Sequence, residues 1–171
     1  MNENDSEKMA GTLEALGLSE TLDIRQADII LVNTCSVRDT AERKANGFIS
    51  YLRKTKDHNP SALLGITGCV AKRLEDSLLK KYKFVDFVLG PDRERELGAV
   101  ISGRCGLRTA PTHTPIIKRK PSVRARVTVI EGCDNFCSFC IVPYVRGREK
   151  SRPVDEIIRE IEMLDKNIYK E

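Results

Sequence analysis

The chain has 171 residues, of which 40% are hydrophobic and 32% charged, and 29 lysines and arginines stand against 25 acidic residues. This length is typical of one domain, or of one domain and part of another, and no run of about 18 apolar residues occurs, which excludes a membrane-spanning helix. The polar start MNENDSEKMA is unlike a secretory signal, so the six cysteines indicate a reducing compartment, the cytoplasm.

The first hundred residues alternate between predicted helices and strands. Apolar residues at helical spacing predict a helix over residues 4–17, with Asn4 and Glu7 as a capping box and Gly17 at its end. Continuous apolar runs predict buried strands over residues 27–35, 62–69 and 85–90, and periodicity predicts further helices over residues 71–82 and 94–101. Between the first two strands lies a helix that Ser36 would cap. Its apolar stripe favours core packing over a binding face: Val37, Ala41, Ala45, Phe48 and Leu52.

Two cysteines stand at the ends of these strands. The alternation predicts an α/β fold with a parallel sheet, and ligands of such sheets gather at the carboxyl ends of the strands. Cys35 and Cys69 lie at those ends, each before a helix whose N-terminus would stabilise a thiolate. Spacing alone favours two small buried residues, and it leaves metal ligation open.

Residues 103–121 are rich in proline and threonine and are predicted to be a linker between domains. No acidic residue occurs between Leu97 and Ile130, whereas basic residues are frequent: Arg104, Arg108, Lys118, Arg119, Lys120, Arg124 and Arg126. Such a stretch can neutralise RNA phosphates, or it can be a solvated linker whose charges keep the chain soluble.

The segment CDNFCSFC carries the most specific pattern of the chain. It follows a predicted strand over residues 127–130 and places Cys133, Cys137 and Cys140 at CxxxCxxC spacing. Clustered cysteines without a secretory signal favour a metal over disulfides. Three thiolates suit a 4Fe–4S cluster with one iron left open, whereas structural zinc needs a fourth ligand such as Cys105 or His113.

A helix is predicted after this loop, over residues 155–167, with Ile157, Ile161 and Leu164 on one apolar face. Strand, loop and helix together form one βα unit. A single unit cannot close a barrel, so this apolar face is expected to be exposed and to associate with something, aggregate or stay mobile.

Residues 131–153, reading EGCDNFCSFCIVPYVRGREKSRP, resemble the cluster loop of the radical S-adenosylmethionine (SAM) methylthiotransferase family. The segments VNTCSVRDTAERKA and GITGCVAKR are similar to the N-terminal domain of that family. The opening MNENDSEKMAG and the loop itself resemble most the branch that modifies isopentenyladenosine in tRNA.

The resemblance implies a flavodoxin-like parallel-sheet domain over residues 1–103, a basic linker over residues 104–121 and the first βα unit of an incomplete radical-SAM TIM-type barrel over residues 122–171. It implies a 4Fe–4S cluster on Cys133, Cys137 and Cys140, with SAM on the open iron and Phe139 against the adenine of SAM. It also implies an auxiliary 4Fe–4S cluster with Cys35 and Cys69 among its ligands.

The sequence also departs from the family pattern. A family motif similar to GCQMN, which supplies the first auxiliary cysteine at the end of the first strand, has no counterpart here. We therefore expect a piece of a longer enzyme that lacks the first strand and the third auxiliary ligand, and that is inactive alone. Cys105 matches nothing in the family pattern.

The implied function is transfer of a methylthio group to C2 of N6-isopentenyladenosine beside the anticodon. The implied partner is tRNA, the implied state is a monomer, and the electron donor and sulfur source stay open. Two alternatives remain: a non-catalytic iron–sulfur or RNA-binding remnant or split subunit, and a sibling enzyme acting on threonylcarbamoyladenosine in tRNA or on a ribosomal protein.

Overall fold

The computed structural model describes residues 2–37, 39–106, 117–119, 122–165 and 168–169. Within them lie the helices α1 (Asn2–Ala15), α2 (Asp39–His58), α3 (Cys69–Lys81), α4 (Leu97–Cys105), α5 (Val142–Arg146) and α6 (Val154–Glu162). The strands are β1 (Ile29–Thr34), β2 (Leu63–Gly68), β3 (Phe87–Leu89), β4 (Ile130–Glu131) and β5 (Lys150–Ser151). Two 3-10 turns span Ile24–Gln26 and Pro91–Glu96.

The core is a parallel sheet of β1, β2 and β3 in that order, which confirms the predicted flavodoxin-like α/β arrangement. Ile29 pairs with Leu63 and Thr34 with Gly68, so β1 and β2 end side by side. Both faces of the sheet are covered by helices, because strands that are apolar on both faces must bury both of them.

Two apolar clusters lie on the two faces of the sheet. One face packs against α2 and α3, and its fully buried side chains include Ile49, Leu52 and Leu78. The other packs against α1 and α4, through Met9 and Ile101. This position of α1 matters for the site, because the helix contacts both the sheet and the residues on either side of the cysteine-rich segment.

The predicted apolar stripe of α2 is partly wrong. Val37 is 60% exposed and Phe48 46% exposed, while the buried side chains are Ile49, Leu52 and Thr55. Leu52 is buried as predicted, whereas Ile49 takes the buried place predicted for Phe48, and Val37 precedes the helix. The predicted cap on Ser36 is also wrong, because its buried hydroxyl has no hydrogen-bond partner among the described residues.

The start of α1 also differs from the prediction. The helix begins at Asn2, and the Asn4 side chain, fully buried, donates to the carbonyl of Arg126 and accepts from the Thr128 hydroxyl. Asn4 therefore joins α1 to the distant segment before β4 and forms no capping box. Gly17, with φ of +82°, takes the left-handed conformation that was predicted for the end of this helix.

The remaining helix boundaries shift by a few residues. Cys69 is the first residue of α3, two positions earlier than predicted. The helix predicted over residues 94–101 divides into the 3-10 turn Pro91–Glu96 and α4, which continues to Cys105 and thus into the predicted linker. The helix predicted over residues 155–167 is α6, which ends at Glu162, and Asn167 lies outside the described residues.

The strand predicted over residues 127–130 is regular only at Ile130 and Glu131, where β4 pairs antiparallel with β5. The two residues before it are both held by Arg152, whose guanidinium donates to the Thr128 carbonyl and whose backbone N–H donates to the Val129 carbonyl. Of the apolar face predicted for α6, Ile161 is 48% exposed as expected, whereas Ile157 and Leu164 are half-buried.

Two described residues of the predicted basic linker, Lys118 and Arg119, form ion pairs with acidic residues of α1 and α6. Lys118 pairs with Glu14, and Arg119 pairs with Glu7 and with Glu160 of α6. These charges join the linker to the fold, an arrangement that the sequence did not predict. Across the described residues, no helix has the combination of length and apolar character that a membrane span requires.

Candidate functional site

Cys35 and Cys69 follow the paired carboxyl ends of β1 and β2. Thr34 is opposite Gly68, and the Thr34 hydroxyl donates to the Thr67 carbonyl at 2.5 Å. Gly68 has φ of +89° and ψ of −164°, a conformation open almost only to glycine, and a Cβ there would overlap the Thr34 carbonyl. The two strand ends approach so closely because residue 68 is glycine, and this brings the backbones that carry the two cysteines together.

The two thiols differ in exposure. Cys69 is 2% exposed at the first position of α3, and Cys35 is half-buried; both are free. Close to them in the chain, the buried hydroxyls of Ser36 and Thr67 lack a hydrogen-bond partner among the described residues. A buried hydroxyl without a partner calls for an explanation, and a group that accepts hydrogen bonds at this edge would supply one.

The start of α1 lies at the same edge of the sheet. The Asn2 side chain donates through its Nδ2 to the side-chain oxygen of Asn33 at 2.9 Å and to the Thr34 carbonyl at 3.3 Å. In return, Asn33 donates to the Asn2 carbonyl at 2.8 Å. The polar groups at the start of α1 therefore lie beside the strand that leads into Cys35.

The cysteine-rich loop is closed at its base by backbone contacts. The Cys133 amide donates to the Gly147 carbonyl at 3.2 Å, and the Glu149 amide donates to Asp134 at 3.0 Å. Gly132 has φ of +78°, and a Cβ there would overlap the carbonyls of Gly147 and Arg148. Gly132 is thus required for the close approach of the two ends of the loop.

Inside the loop, all three thiols are free and accessible. Cys137 is exposed, Cys133 and Cys140 are half-buried, and the Cys140 amide donates to the Cys137 carbonyl at 2.9 Å. Phe139 is 91% exposed. Within the described parts of the chain, no three side chains from the Cys, His, Asp and Glu residues are grouped closely enough to hold a metal ion. The three thiols share one loop, but their side chains are not gathered around one point.

The residues after Cys140 connect this loop to the sheet. Helix α5 packs against α3 and buries Val145 to 2% exposure. Arg146, its last residue, donates to Asp5 of α1 at 2.5 Å, and its guanidinium also interacts electrostatically with the Cys69 thiol. Burial opposes the charged guanidinium, but Asp5 and Cys69 outweigh it and raise the pKa of Arg146 above its usual value. Sequence analysis missed this link between the two groups of cysteines.

A second unexpected acidic residue lies at this junction. Glu94 lines a cavity of about 10 Å³ at the carboxyl edge of the sheet, together with Asp5, Asn33 and Thr67. That volume holds about one water molecule. Burial raises the pKa of Glu94 to about 7, and the negative charge of Asp5 adds to this, although Lys8 lowers it. The sequence did not predict the burial of Glu94, because a glutamate within the charged stretch PDRERE is expected to face solvent.

The distant ligands considered for zinc are not at the loop. Cys105 is exposed at the end of α4, on the face of the sheet that α1 also covers, and His113 lies outside the described residues. Among the described residues, the loop offers three thiols and no histidine as metal ligands. Thiolates are the ligands that iron–sulfur clusters use. The loop residues therefore fit an iron–sulfur cluster by their chemistry. At the sheet edge, the two thiols and the two unpartnered hydroxyls fit one in the same way.

The fold and the site define the class of this protein. It is an α/β protein whose parallel sheet carries thiols at its carboxyl edge, and α5 anchors a cysteine-rich loop beside that edge. The chain belongs to the family described as "Uncharacterized protein family UPF0004", whose family model matches residues 1–90.

Curated relatives confirm the resemblance to methylthiotransferases. A protein of Dictyoglomus thermophilum named tRNA-2-methylthio-N(6)-dimethylallyladenosine synthase is 46% identical over 174 residues, which cover 96% of this chain and 40% of that protein. Proteins with the same name from Desulforamulus reducens and Thermodesulfovibrio yellowstonii are 43% and 38% identical over all of this chain. The chain spans 40% and 41% of their lengths.

Proposed function

We propose that the chain belongs to a tRNA-methylthiolating enzyme and that Cys133, Cys137 and Cys140 hold a 4Fe–4S cluster in it. The observation that carries this proposal is the anchored loop with three free, accessible thiols, fixed at its base by the contact between Cys133 and Gly147. The substrate is assigned from the relatives' name: a dimethylallylated adenosine of tRNA that receives a methylthio group at C2.

Each part of the loop has a role in this proposal. The three thiolates bind iron, and the anchored base limits how far the loop can move when they do so. With SAM, the bound cluster would supply the one-electron chemistry that an unactivated ring carbon needs. Phe139, exposed between Cys137 and Cys140, would contact the adenine of bound SAM.

Cys35 and Cys69 are proposed as ligands of an auxiliary cluster at the sheet edge. The parallel pairing of β1 with β2 supports this, because it ends both strands beside each other. The unpartnered hydroxyls of Ser36 and Thr67 support it too, since they can donate hydrogen bonds to sulfur. The location of this chemistry is the cytoplasm, where thiols stay reduced and tRNA is modified.

Anaerobic reconstitution of the chain with iron and sulfide tests the proposal. We expect about four irons and four sulfides per cluster, with the broad visible absorption of such clusters. Cys133→Ala, Cys137→Ala and Cys140→Ala should each remove most of the iron held by the loop. Cys105→Ala is the matched control, because Cys105 is an exposed thiol outside both cysteine groups.

Two results would contradict the proposal. Equal loss of iron in Cys105→Ala and in the loop variants would show unspecific thiol binding. Zinc retained at one ion per chain, with no sulfide after reconstitution, would identify the loop as a structural zinc site instead.

A further inference from the structure

An aromatic patch on the cysteine-rich loop is left unused by the proposed cluster. Phe136 and Tyr144 pack edge to face, with ring centroids 5.9 Å apart and planes at 87°. The Arg148 guanidinium lies 4.7 Å from the centroid of the Phe136 ring. Phe136 is 42% exposed and Tyr144 66% exposed, so both rings keep open surface. We call Phe136, Tyr144 and Arg148 the aromatic patch.

The backbone holds Phe136 in an unusual conformation. Its φ is +46°, and Phe136 is the one residue other than glycine with positive φ among those described. A bulky residue in this region carries strain of order 1–3 kcal/mol, and strain of this kind collects at sites that bind ligands. The tight loop between Cys133 and Cys137 thus presents an aromatic ring to solvent at an energetic cost.

The aromatic patch carries one positive charge, on Arg148, and this charge is accessible to solvent. The Arg148 side chain is 71% exposed, and its acidic neighbour, Asp134, is 3.7 Å away, a long distance for an ion pair. Arg119 of the basic linker, in contrast, is 10% exposed and contacts Glu7 and Glu160. Arg119, one of the basic residues predicted to bind RNA, is thus paired within the fold, whereas Arg148, which was not among them, faces solvent.

We propose that the aromatic patch is a stacking site for an unpaired RNA base, with Arg148 on the phosphate next to that base. Unpaired bases are recognised by stacking on aromatic rings and on arginine planes, which the patch combines within one loop. The inference rests on the proposed function, because that function supplies the RNA. It places the contact beside Cys137 and assigns the accessible positive charge near the cysteines to RNA binding.

Fluorescence anisotropy with a labelled anticodon stem-loop RNA tests the site in the whole chain. Phe136→Leu keeps an apolar side chain against Tyr144 but removes the ring, and Tyr144→Ala removes the second ring. Each should weaken binding about fivefold or more, the effect of losing one base stack. Tyr144→Phe, which keeps a ring, should bind within about twofold of the parent chain. Arg148→Gln should lower the slope of log affinity against log salt by roughly 0.7 for each phosphate that is no longer neutralised.

The exposed pair Phe48 and Tyr51 on α2 provides the matched control. Its rings are stacked with centroids 6.4 Å apart, are 46% and 56% exposed, and belong to α2, outside the cysteine-rich loop. Phe48→Leu should leave the affinity unchanged. Equal affinities for Phe136→Leu and Phe48→Leu would overturn the site, as would a parent chain that does not bind this RNA. Neither outcome affects the iron content that tests the proposed function, so the two failures are distinguishable.

Discussion

The Arg146 guanidinium donates a hydrogen bond to Asp5 at 2.5 Å, and the two side chains are only 10% and 8% exposed. Arg146 follows the cysteine-rich loop, whereas Asp5 is in the first turns of α1. The same guanidinium interacts electrostatically with the thiol of Cys69, which helps to raise the pKa of Arg146. One buried ion pair therefore fixes the distance between the loop and the carboxyl edge of the parallel sheet.

Removal of this guanidinium should be costly. Arg146→Met leaves Asp5 buried without a counter-charge, and the free energy of unfolding should fall by about 3–5 kcal/mol. The double variant Asp5→Asn with Arg146→Met should recover part of this loss. Urea denaturation followed by circular dichroism measures the change. Arg148→Met, an exposed arginine two positions later, is the control and should cost no more than about 1 kcal/mol.

The stability of the chain should depend on pH through Glu94. Burial and the charge of Asp5 raise the pKa of this carboxyl from 4.5 to about 7 in the folded chain, so the folded state holds a proton that the unfolded state releases. The contribution of Glu94 to the free energy of unfolding is therefore largest below about pH 4.5. This contribution is lost as the pH rises to about 7. The facing charges are Asp5, Lys8, Glu131 and Arg146.

Glu94→Gln tests this prediction, because an amide cannot titrate. Between about pH 5 and about pH 8, the parent chain should lose about 2–3 kcal/mol more unfolding free energy than the variant. The variant should also be the more stable of the two at about pH 8. Parallel pH profiles for the two chains would show that Glu94 is solvated and that its pKa is ordinary.

The strands and the positions of the cysteines could be predicted because they depend on local signals. Continuous apolar runs such as ILVNTC and LLGITG mark buried strands, and the residue at the end of such a run must lie at the sheet edge. The spacing of Cys133, Cys137 and Cys140 is enough to place the three cysteines on one loop. These features need no knowledge of distant parts of the chain.

The features that were missed depend on distant contacts. Asp5 and Arg146 are 141 positions apart, and Asn4 and Thr128 are 124 apart. Nothing in MNENDSEKMA distinguishes a polar residue that pairs across the fold from one that faces water. The face of α2 was mispredicted for a related reason, since Phe48 and Ile49 are both apolar and only the sheet decides which one is buried.

Gly68 should be irreplaceable at the strand end. Gly68→Ala adds a Cβ against the Thr34 carbonyl and forces alanine into a conformation open almost only to glycine, so the cost should exceed about 2 kcal/mol. Gly47→Ala is the matched control: Gly47 lies within α2 with nothing near its missing Cβ, and alanine should stabilise the helix by about 1 kcal/mol. Thermal melts compare the two, and a similar melting temperature for both variants would contradict the close approach of β1 and β2.

The linker arginine should act on folding and not on RNA. Arg119 donates to the Arg126 carbonyl at 3.0 Å and contacts Glu7 and Glu160, so Arg119→Gln should lower the unfolding free energy by about 1–3 kcal/mol. Lys118→Gln removes a more exposed pair with Glu14 and should cost less than about 1 kcal/mol. Both variants should bind the anticodon stem-loop RNA as the parent chain does, under conditions where both are folded. A loss of RNA affinity in Arg119→Gln larger than the loss in Arg148→Gln would assign the RNA contact to the linker, because an arginine that binds phosphate cannot also be held by two glutamates.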